Sequence, residues 1–210
     1  MRHLKHSCFI SYASGEHELL VRFMGDLQRA LESALDPWMP RELTVYRDTD
    51  GLRPGDRFPR ALARALCQSL CMVLVYTPNY ERRPYCLREF AAMRTLERHR
   101  MERMNLTHTK GMIVPIILRG RISDLPPVIR ESIHCLDFSS YMTSNQSILR
   151  NGKYMQRIER IAEYIHELYC LVDAVDIADP FDCEEFELPI EQLREIWREG
   201  HSRPVQEFPF

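Results

Sequence analysis

The sequence of 210 residues lacks the long apolar run of a membrane-spanning helix. Its longest apolar stretches are Cys71–Tyr76 and Met112–Leu118, whereas a helix needs about 20 such residues to cross a bilayer. The N-terminus has no apolar segment followed by a small-residue cleavage site, so we expect a cytoplasmic protein without membrane contacts. The motifs GxxxxGK(S/T), GxGxxG, GxSxG and HExxH are absent, which excludes the sites that those motifs build.

Cysteine and histidine do not have the spacing of a disulfide framework or a metal site. The seven cysteines are odd in number and irregularly placed, which in a cytoplasmic chain predicts reduced thiols, most of them in the core. Cys67 and Cys71 have the spacing of half a metal site, but no matching His or Cys pair follows them. The chain also lacks aromatic residues interleaved with basic ones along a strand. We therefore expect no metal, no cofactor and no nucleic acid.

Charge is divided unevenly along a chain whose composition, 45% hydrophobic and 28% charged, is that of a globular protein. Residues 173–210 contain eleven acidic and three basic residues, whereas residues 1–172 contain 19 acidic and 25 basic ones. This change predicts a main domain over residues 1–172 and an acidic C-terminal extension over residues 173–210. The extension is either a solvated helix or a tail that docks on the basic part and gates it.

Apolar strand-like segments alternate with segments of helical periodicity. The predicted strands are Ser7–Tyr12, Leu43–Tyr46, Leu70–Tyr76, Met112–Leu118 and Cys135–Phe138, and the predicted helices are Glu16–Leu35, Phe58–Cys67, Tyr85–Arg103 and Asn151–Val172. This alternation predicts a parallel sheet with helices on both faces. We expect an α/β, flavodoxin-like three-layer sandwich with a five-stranded, mostly parallel sheet, followed by a C-terminal helical extension that includes Ile190–Glu199.

Three local features refine this prediction. Leu70–Tyr76 is almost continuously apolar, which indicates a strand covered on both faces in the middle of the sheet. Ser14 is the predicted N-cap of the first helix. Pro115 cannot donate a hydrogen bond to a neighbouring strand, so it predicts a sheet edge or a bulge within the fourth strand.

Polar side chains collect where the predicted strands end, which is where ligands bind in this class of fold. They are Ser11, Tyr12, Arg47, Asp48 and Tyr76, together with Tyr85, Cys86 and Glu89 at the start of the third helix. Tyr85 and Glu89 share a helix face, and the helix dipole stabilises an ionised carboxylate near the helix start. Taken alone, however, a glutamate in the first turns of a helix is more typical of an exposed, helix-forming residue.

Four segments occur in a characteristic order and spacing: Cys8–Tyr12 (CFISY), Tyr46–Asp48 with Gly51–Asp56 (YRD and GLRPGD), Val73–Tyr80 (VLVYTPNY) and Tyr85–Phe90 (YCLREF). They resemble the first strand, the second strand with its long BB loop, the third strand with its turn, and the aromatic-Cys-x-x-Glu signature of a TIR (Toll/interleukin-1 receptor) domain. The resemblance covers about residues 5–172.

This resemblance implies one of two activities. Some TIR domains are adaptors that act by homotypic assembly, whereas others, in bacteria and plants, cleave NAD+ between nicotinamide and ribose. The enzymatic members have a glutamate at the position of Glu89, and residues corresponding to Phe9, Ser11, Tyr12, Asp48 and Tyr85 line their nucleotide pocket. The resemblance therefore implies a bacterial NAD+ nucleosidase or cyclase, with NAD+ as substrate and Glu89 facing a sugar-sized hollow.

The chain departs from the family pattern at three places in and before the third helix. Tyr85 replaces the commoner tryptophan, Phe90 replaces a leucine, and Arg82-Arg83 replaces a serine-containing turn. The first departure changes how the nicotinamide ring is held, but none of them removes the carboxylate.

The predicted BB loop is flanked by Arg47, Arg53 and Arg57, which either meet the substrate pyrophosphate or a neighbouring subunit, or remain solvated. In enzymatic TIR proteins this loop reaches an adjacent protomer, so the resemblance implies self-association through residues 47–57. Tyr12 and Tyr85 either stack on a base of the substrate or pack in the core or at its rim.

The sequence leaves the product and the exact role of Glu89 open. Attack by water gives ADP-ribose, attack by the substrate's own adenine gives a cyclic ADP-ribose isomer, and Glu89 either attacks the sugar or stabilises its charge. A TIR domain without an attached effector implies antiphage defence in which a diffusible nucleotide reaches a separate effector. The alternatives are a non-catalytic TIR interaction module, as an adaptor or host-mimicking effector, and an unrelated flavodoxin-like nucleotide-sugar transferase.

Overall fold

The computed structural model of the chain describes residues 4–15, 17–48, 60–103, 110–130, 134–142, 148–174 and 182–186. Its centre is a sheet of five strands: β1 (His6–Tyr12), β2 (Thr44–Arg47), β3 (Ser69–Tyr76), β4 (Ile113–Ile117) and β5 (Leu136–Asp137). The strands lie in the order β2-β1-β3-β4-β5, and every neighbouring pair is parallel. The predicted strands are confirmed to within one residue at each end.

Helices cover both faces of this sheet and complete the three layers. They are α1 (Glu18–Leu35), α2 (Arg60–Cys67), α3 (Pro84–Arg103), the short α4 (Pro127–Arg130) and α5 (Gly152–Asp173). α1 packs against α5, and α2 packs against α3. The predicted flavodoxin-like α/β fold is therefore confirmed. None of the described helices combines the length and the apolar composition needed to span a bilayer.

The middle strand is β3, as its continuous apolar sequence predicts. All eight of its residues are buried, because β1 and β4 flank it and helices cover both of its faces. A strand buried on both faces has no solvent-facing side, which is why its sequence does not alternate between apolar and polar residues.

The starts of α1 and α5 show how far local sequence signals determine where a helix begins. Asn151 caps α5, and its side-chain oxygen accepts a hydrogen bond from the Tyr154 backbone N–H at 3.1 Å. The predicted N-cap of α1 is wrong: the N-cap is His17 rather than Ser14, and the His17 carbonyl accepts hydrogen bonds from the backbone N–H groups of Leu20 at 2.9 Å and Val21 at 3.1 Å. The helix simply begins later than its best capping residue.

Pro115 lies in an interior strand and yet occupies a local edge. In β4 it is paired with Leu74 of β3 on one side. On the other side, β5 pairs only with Ile116 and Ile117, so its two residues end before they reach Pro115. Pro115 lacks a backbone N–H, but this does not cost a hydrogen bond because no described strand pairs with β4 at Pro115 on that side.

Arg100 connects α3 to the junction between α2 and β3. Its side chain is 1% exposed, and its guanidinium donates hydrogen bonds to the Cys67 carbonyl at 2.5 Å and to the Ser69 carbonyl at 2.8 Å. Cys67 ends α2, where the helix dipole also favours a positive charge, and Ser69 begins β3. Arg100 therefore fixes the packing of α3 on its neighbours.

One pair of cysteines contradicts the expectation of reduced thiols. Cys67 at the end of α2 is joined by a disulfide to Cys183, with Cα atoms 5.5 Å apart, whereas the other five cysteines are free. The two residues are 116 positions apart in the chain, and spacing alone does not reveal such a pairing. Cys67 therefore pairs with a residue of the C-terminal extension.

The disulfide holds residues 182–186 against α2. Cys183 and Phe186 are buried, and Glu184 pairs with Arg64 of α2 at 2.8 Å. The rest of the acidic extension, including the predicted helix Ile190–Glu199, lies outside the described residues, so the division at residue 172 stays a prediction.

Replacement of Cys183 with serine should lower the free energy of unfolding by about 2–4 kcal/mol under oxidising conditions, because the crosslink restricts the unfolded chain. Urea titrations with and without dithiothreitol test this, since excess reductant should bring the two proteins to the same midpoint. Equal midpoints without reductant would mean that both thiols remain reduced, as the sequence suggested.

Candidate active site

The polar strand ends meet at the point where the sheet order reverses. The chain runs from β1 outward to β2 and then returns to the opposite side of β1 as β3. In sheets of this order, ligands bind beside the carboxyl ends of the two strands between which the order reverses, here β1 and β3. Ser11 and Tyr12 end β1, Asp48 follows β2, and Tyr80 lies in the 3-10 turn after β3.

Glu89 faces this point from α3. It is 7% exposed, and its Oε2 lies 2.5 Å from the hydroxyl oxygen of Ser11, which is fully buried. Phe90 and Met93 on the same helix are also buried, so Glu89 is a polar residue within the inward side of α3. The alternative interpretation of Glu89 as an exposed helix former is therefore wrong.

Burial raises the pKa of the Glu89 carboxyl to about 8, the Ser11 hydrogen bond opposes this shift, and the negative charge of Asp48 adds to it. The folded protein thus retains a proton that the unfolded chain releases near pH 4.5. This group contributes stability that is fully present below about pH 4.5 and is lost as the pH rises through about 8.

Tyr12 and Asp48 form a second contact beside Glu89. The Tyr12 hydroxyl donates a hydrogen bond to the Asp48 backbone carbonyl at 3.2 Å. Burial raises the pKa of Tyr12, while the nearby Arg47 guanidinium lowers it. The structure therefore brings together four of the six residues that the family resemblance implies: Ser11, Tyr12, Asp48 and Glu89.

The two remaining residues, Phe9 and Tyr85, lie at the margins of this group. Phe9 is fully buried two residues before Ser11, and its ring stacks on Tyr46 with centroids 5.2 Å apart. Tyr85 is half-buried at the start of α3, and the Arg88 guanidinium lies 5.5 Å from its ring centroid. Phe9 is thus part of the core beneath the site, whereas Tyr85 lies at its rim.

Sequence reasoning did not assign a role to Tyr80. Its side chain is fully buried, and its hydroxyl lies 2.6 Å from the Ser11 hydroxyl and donates to the Cys86 carbonyl at 3.1 Å. The available signal was the position of Tyr80 at the end of the VLVYTPNY segment, one turn before the helix that carries Glu89.

The predicted BB loop is described only at its first two residues. Arg47 extends toward α1, where its Nε donates to the Gln28 side-chain oxygen at 2.9 Å. Residues 49–59, which include Arg53 and Arg57, lie outside the described part of the chain.

One cleft formed by described residues lies far from Glu89. It has a volume of about 180 Å³ and lies at the opposite end of the sheet, between Leu4, Leu43 and the last turn of α5 near Val172. Glu89 itself is enclosed and hydrogen-bonded to Ser11, and the sugar-sized hollow beside it stays a prediction because residues 49–59 lie outside the described part of the chain.

A comparison with protein families decides the relationship that these features suggest. The family model of the TIR domain matches residues 8–150, which is more than half of the chain and includes every residue of the site. The chain belongs to the TIR-domain family. Within this TIR domain, the match begins in β1 and ends just before α5, so the last helix lies outside it.

Two known TIR proteins are similar to this chain. The NAD(+) hydrolase ApTIR of Actinoplanes sp. is 27% identical over 173 residues, and the match covers 78% of this chain but only 23% of that protein. The TIR domains of the activated Roq1 resistosome, which directly recognises the pathogen effector XopQ, are 17% identical with a TM-score of 0.40. That match covers 78% of this chain and 82% of the Roq1 chain.

Proposed function

We propose that this TIR domain is an NAD+ nucleosidase that cleaves the bond between nicotinamide and ribose, with Glu89 as its catalytic carboxylate. The observation that carries the proposal is the enclosed Glu89 carboxyl, bound to Ser11 at the carboxyl end of β1. A relative that matches 78% of the chain is named an NAD(+) hydrolase, which supports the same reaction here.

A single carboxylate is enough for this reaction because of the charge of the leaving group. Nicotinamide is a cation while it is attached to the ribose and becomes neutral when it departs, so it needs no proton from a general acid. Ordinary glycosidases need a second carboxyl group for that purpose. Glu89 has only to stabilise the positive charge that develops on the sugar, an electrostatic task that contributes several kcal/mol in a preorganised site.

The balance of the hydrolytic step is simple. The bond between ribose C1′ and the nicotinamide nitrogen breaks, and its electron pair moves to that nitrogen. A water oxygen forms the new bond to C1′ and releases one proton to the solvent. The products are neutral nicotinamide and ADP-ribose. If the substrate's adenine nitrogen attacks instead of water, the product is a cyclic ADP-ribose isomer.

The proton on Glu89 controls when this chemistry is possible. At neutral pH the enclosed carboxyl is mostly protonated, because its pKa is raised to about 8 by burial. A positively charged nicotinamide riboside placed beside it favours the ionised form, since opposite charges stabilise each other. The hydroxyl of Ser11 then donates to the carboxylate, which holds the negative charge toward the sugar.

The enclosure of Glu89 bears on assembly as well. At 7% exposure the carboxyl meets a ribose only after the surrounding groups move, and we propose that self-association through residues 47–57 supplies that movement. We further propose a cytoplasmic role in antiphage defence, in which the nucleotide product signals to a separate effector.

The same enclosure favours the alternative of a non-catalytic TIR interaction module, which needs no open site. The two functions are distinguished by incubating concentrated protein with NAD+ and separating nicotinamide, ADP-ribose and cyclic products by chromatography. The enzyme should release nicotinamide, and kcat/KM should rise as the pH increases through about 8, because the free enzyme must ionise Glu89. No release at any protein concentration or pH would leave the interaction module.

A further inference from the structure

Two buried hydroxyl groups connect Glu89 to the backbone of its own helix. Glu89 Oε2 lies 2.5 Å from Ser11 Oγ, which lies 2.6 Å from the Tyr80 hydroxyl oxygen. The Tyr80 oxygen lies 3.1 Å from the Cys86 carbonyl oxygen. The side chains of Ser11 and Tyr80 are both 0% exposed, so the hydrogens in these contacts come from the groups themselves.

The number of hydrogens available determines the protonation state that this chain of contacts requires. Each contact needs one hydrogen between its two oxygens. Ser11 and Tyr80 supply one each, and the Cys86 carbonyl supplies none. Among the described contacts, the third hydrogen therefore belongs to Glu89. When Glu89 is protonated, it donates to Ser11, Ser11 donates to Tyr80, and Tyr80 donates to the carbonyl, so that all three contacts are satisfied.

Ionisation of Glu89 removes one hydrogen and reverses the direction of the chain. Ser11 then donates to the carboxylate and Tyr80 donates to Ser11. The Cys86 carbonyl then no longer accepts a hydrogen bond from the Tyr80 hydroxyl. The two hydroxyl groups thus form a relay with two directions, one for each protonation state of Glu89.

We infer that Tyr80 is a positioning residue that holds Glu89 in its protonated form in the resting site, because its oxygen accepts the hydrogen of Ser11. Without that acceptor, protonated Glu89 and Ser11 carry two hydrogens for a single contact, and one buried donor is left unsatisfied. When Glu89 is ionised, no donor is left unsatisfied, because Ser11 donates its hydrogen to the carboxylate.

This inference deepens the proposed function and rests on it, because only a catalytic Glu89 gives the proton a consequence. A neutral carboxyl cannot stabilise a sugar cation. The relay therefore keeps the resting enzyme slow until substrate or assembly favours the ionised form.

Other described groups also face Glu89, and the substitution of Tyr80 does not alter these residues. β1 contributes Tyr12, and the end of β2 contributes Asp48, whose negative charge also favours the protonated carboxyl. α3 contributes the Cys86 thiol, which donates to the Tyr12 carbonyl at 3.5 Å. A change in the ionisation of Glu89 on substitution of Tyr80 with phenylalanine is therefore due to the lost hydroxyl.

The test measures the ionisation of Glu89 in ligand-free protein by ¹³C NMR of carboxyl-labelled glutamate, with the resonance assigned by its loss in Glu89→Gln. Tyr80→Phe should lower the pKa of Glu89 by about one pH unit. The matched control is Tyr154→Phe, because Tyr154 is also fully buried and its hydroxyl has no hydrogen-bond partner among the described residues. The control should leave the pKa unchanged, and an unchanged or raised pKa in Tyr80→Phe would overturn the relay.

The rate of NAD+ cleavage gives a readout that a merely structural role would not produce. Near pH 6, Tyr80→Phe should cleave NAD+ up to about tenfold faster than the unmodified protein and reach the same plateau at high pH, since one pH unit is a tenfold change in ionised fraction. Simple destabilisation would lower the rate at every pH, and that result would contradict the relay.

Two further outcomes separate the relay from the proposed function. If Tyr80→Phe lowers the pKa of Glu89 but neither protein cleaves NAD+, the relay is supported and the enzymatic function is rejected. If both proteins cleave NAD+ but the pKa of Glu89 is not lowered, the enzymatic function is supported and the relay is rejected. If Tyr80→Phe does not fold, ¹H NMR of the unmodified protein decides. A downfield hydroxyl resonance that disappears as Glu89 ionises supports the relay, and its absence at low pH counts against it.

Discussion

Replacing Glu89 with glutamine should reduce the release of nicotinamide from NAD+ by at least about 100-fold. Glutamine has the size and neutral charge of protonated glutamate, and its amide oxygen can accept from Ser11, so the fold should be retained. Glutamine, however, cannot ionise, so it cannot supply a negative charge when positive charge develops on the ribose. Loss of one preorganised electrostatic group of this kind lowers kcat by about 100- to 1,000-fold.

A second buried glutamate on α3 provides the matched control. Glu97 is 8% exposed, and its carboxylate accepts a hydrogen bond from the Met112 backbone N–H and pairs with Arg94. Glu97→Gln should lower stability but leave the rate of cleavage within about twofold, because Glu97 holds β4 rather than facing the strand ends. Retention of more than a tenth of the rate by Glu89→Gln would rule out Glu89 as the catalytic carboxylate.

The same variant has a consequence for stability that does not depend on activity. In the unmodified protein, the contribution of Glu89 to the free energy of unfolding decreases as the pH rises from about 4.5 to about 8. Glutamine does not titrate, so the decrease should be smaller in Glu89→Gln. Urea titrations at several pH values measure the difference.

Replacing Arg100 with alanine should lower the free energy of unfolding by about 3–5 kcal/mol. The substitution removes hydrogen bonds from a charged group to two buried carbonyls and leaves a cavity where the long side chain packed. Urea titration measures this loss as a lower midpoint with an unchanged slope.

Arg98 is the control for this experiment, since it is the same residue type two positions earlier on α3 and is exposed. Arg98→Ala should change the free energy of unfolding by no more than about 0.5 kcal/mol. Equal effects of the two substitutions would show that the buried contacts of Arg100 contribute nothing specific to the packing of α3.

The sequence predicts the sheet well because each strand carries its own signal. β3 is continuously apolar, and β1 and β4 are short apolar runs bounded by polar residues or glycine, so their positions do not depend on distant parts of the chain. The same is true of α5, whose N-cap Asn151 lies next to a regular apolar stripe. Because these signals lie within the strand or helix itself, the sequence is sufficient to predict these elements.

Features that depend on distant contacts are not predicted. The partner of Cys67, for example, lies 116 residues away in the chain. The candidate active site is predicted only in part. The family resemblance identifies Glu89 and Ser11, but the role of Tyr80 depends on oxygen positions on three separate elements that only the folded chain brings together.

The link between Cys67 and Cys183 makes the chain between them a closed covalent ring that contains β3, α3, β4, β5 and α5. A protease that cuts this ring once produces two fragments that stay joined to each other. They migrate together on a denaturing gel until a reductant is added, so nicked and intact protein differ in mass on that gel only after reduction.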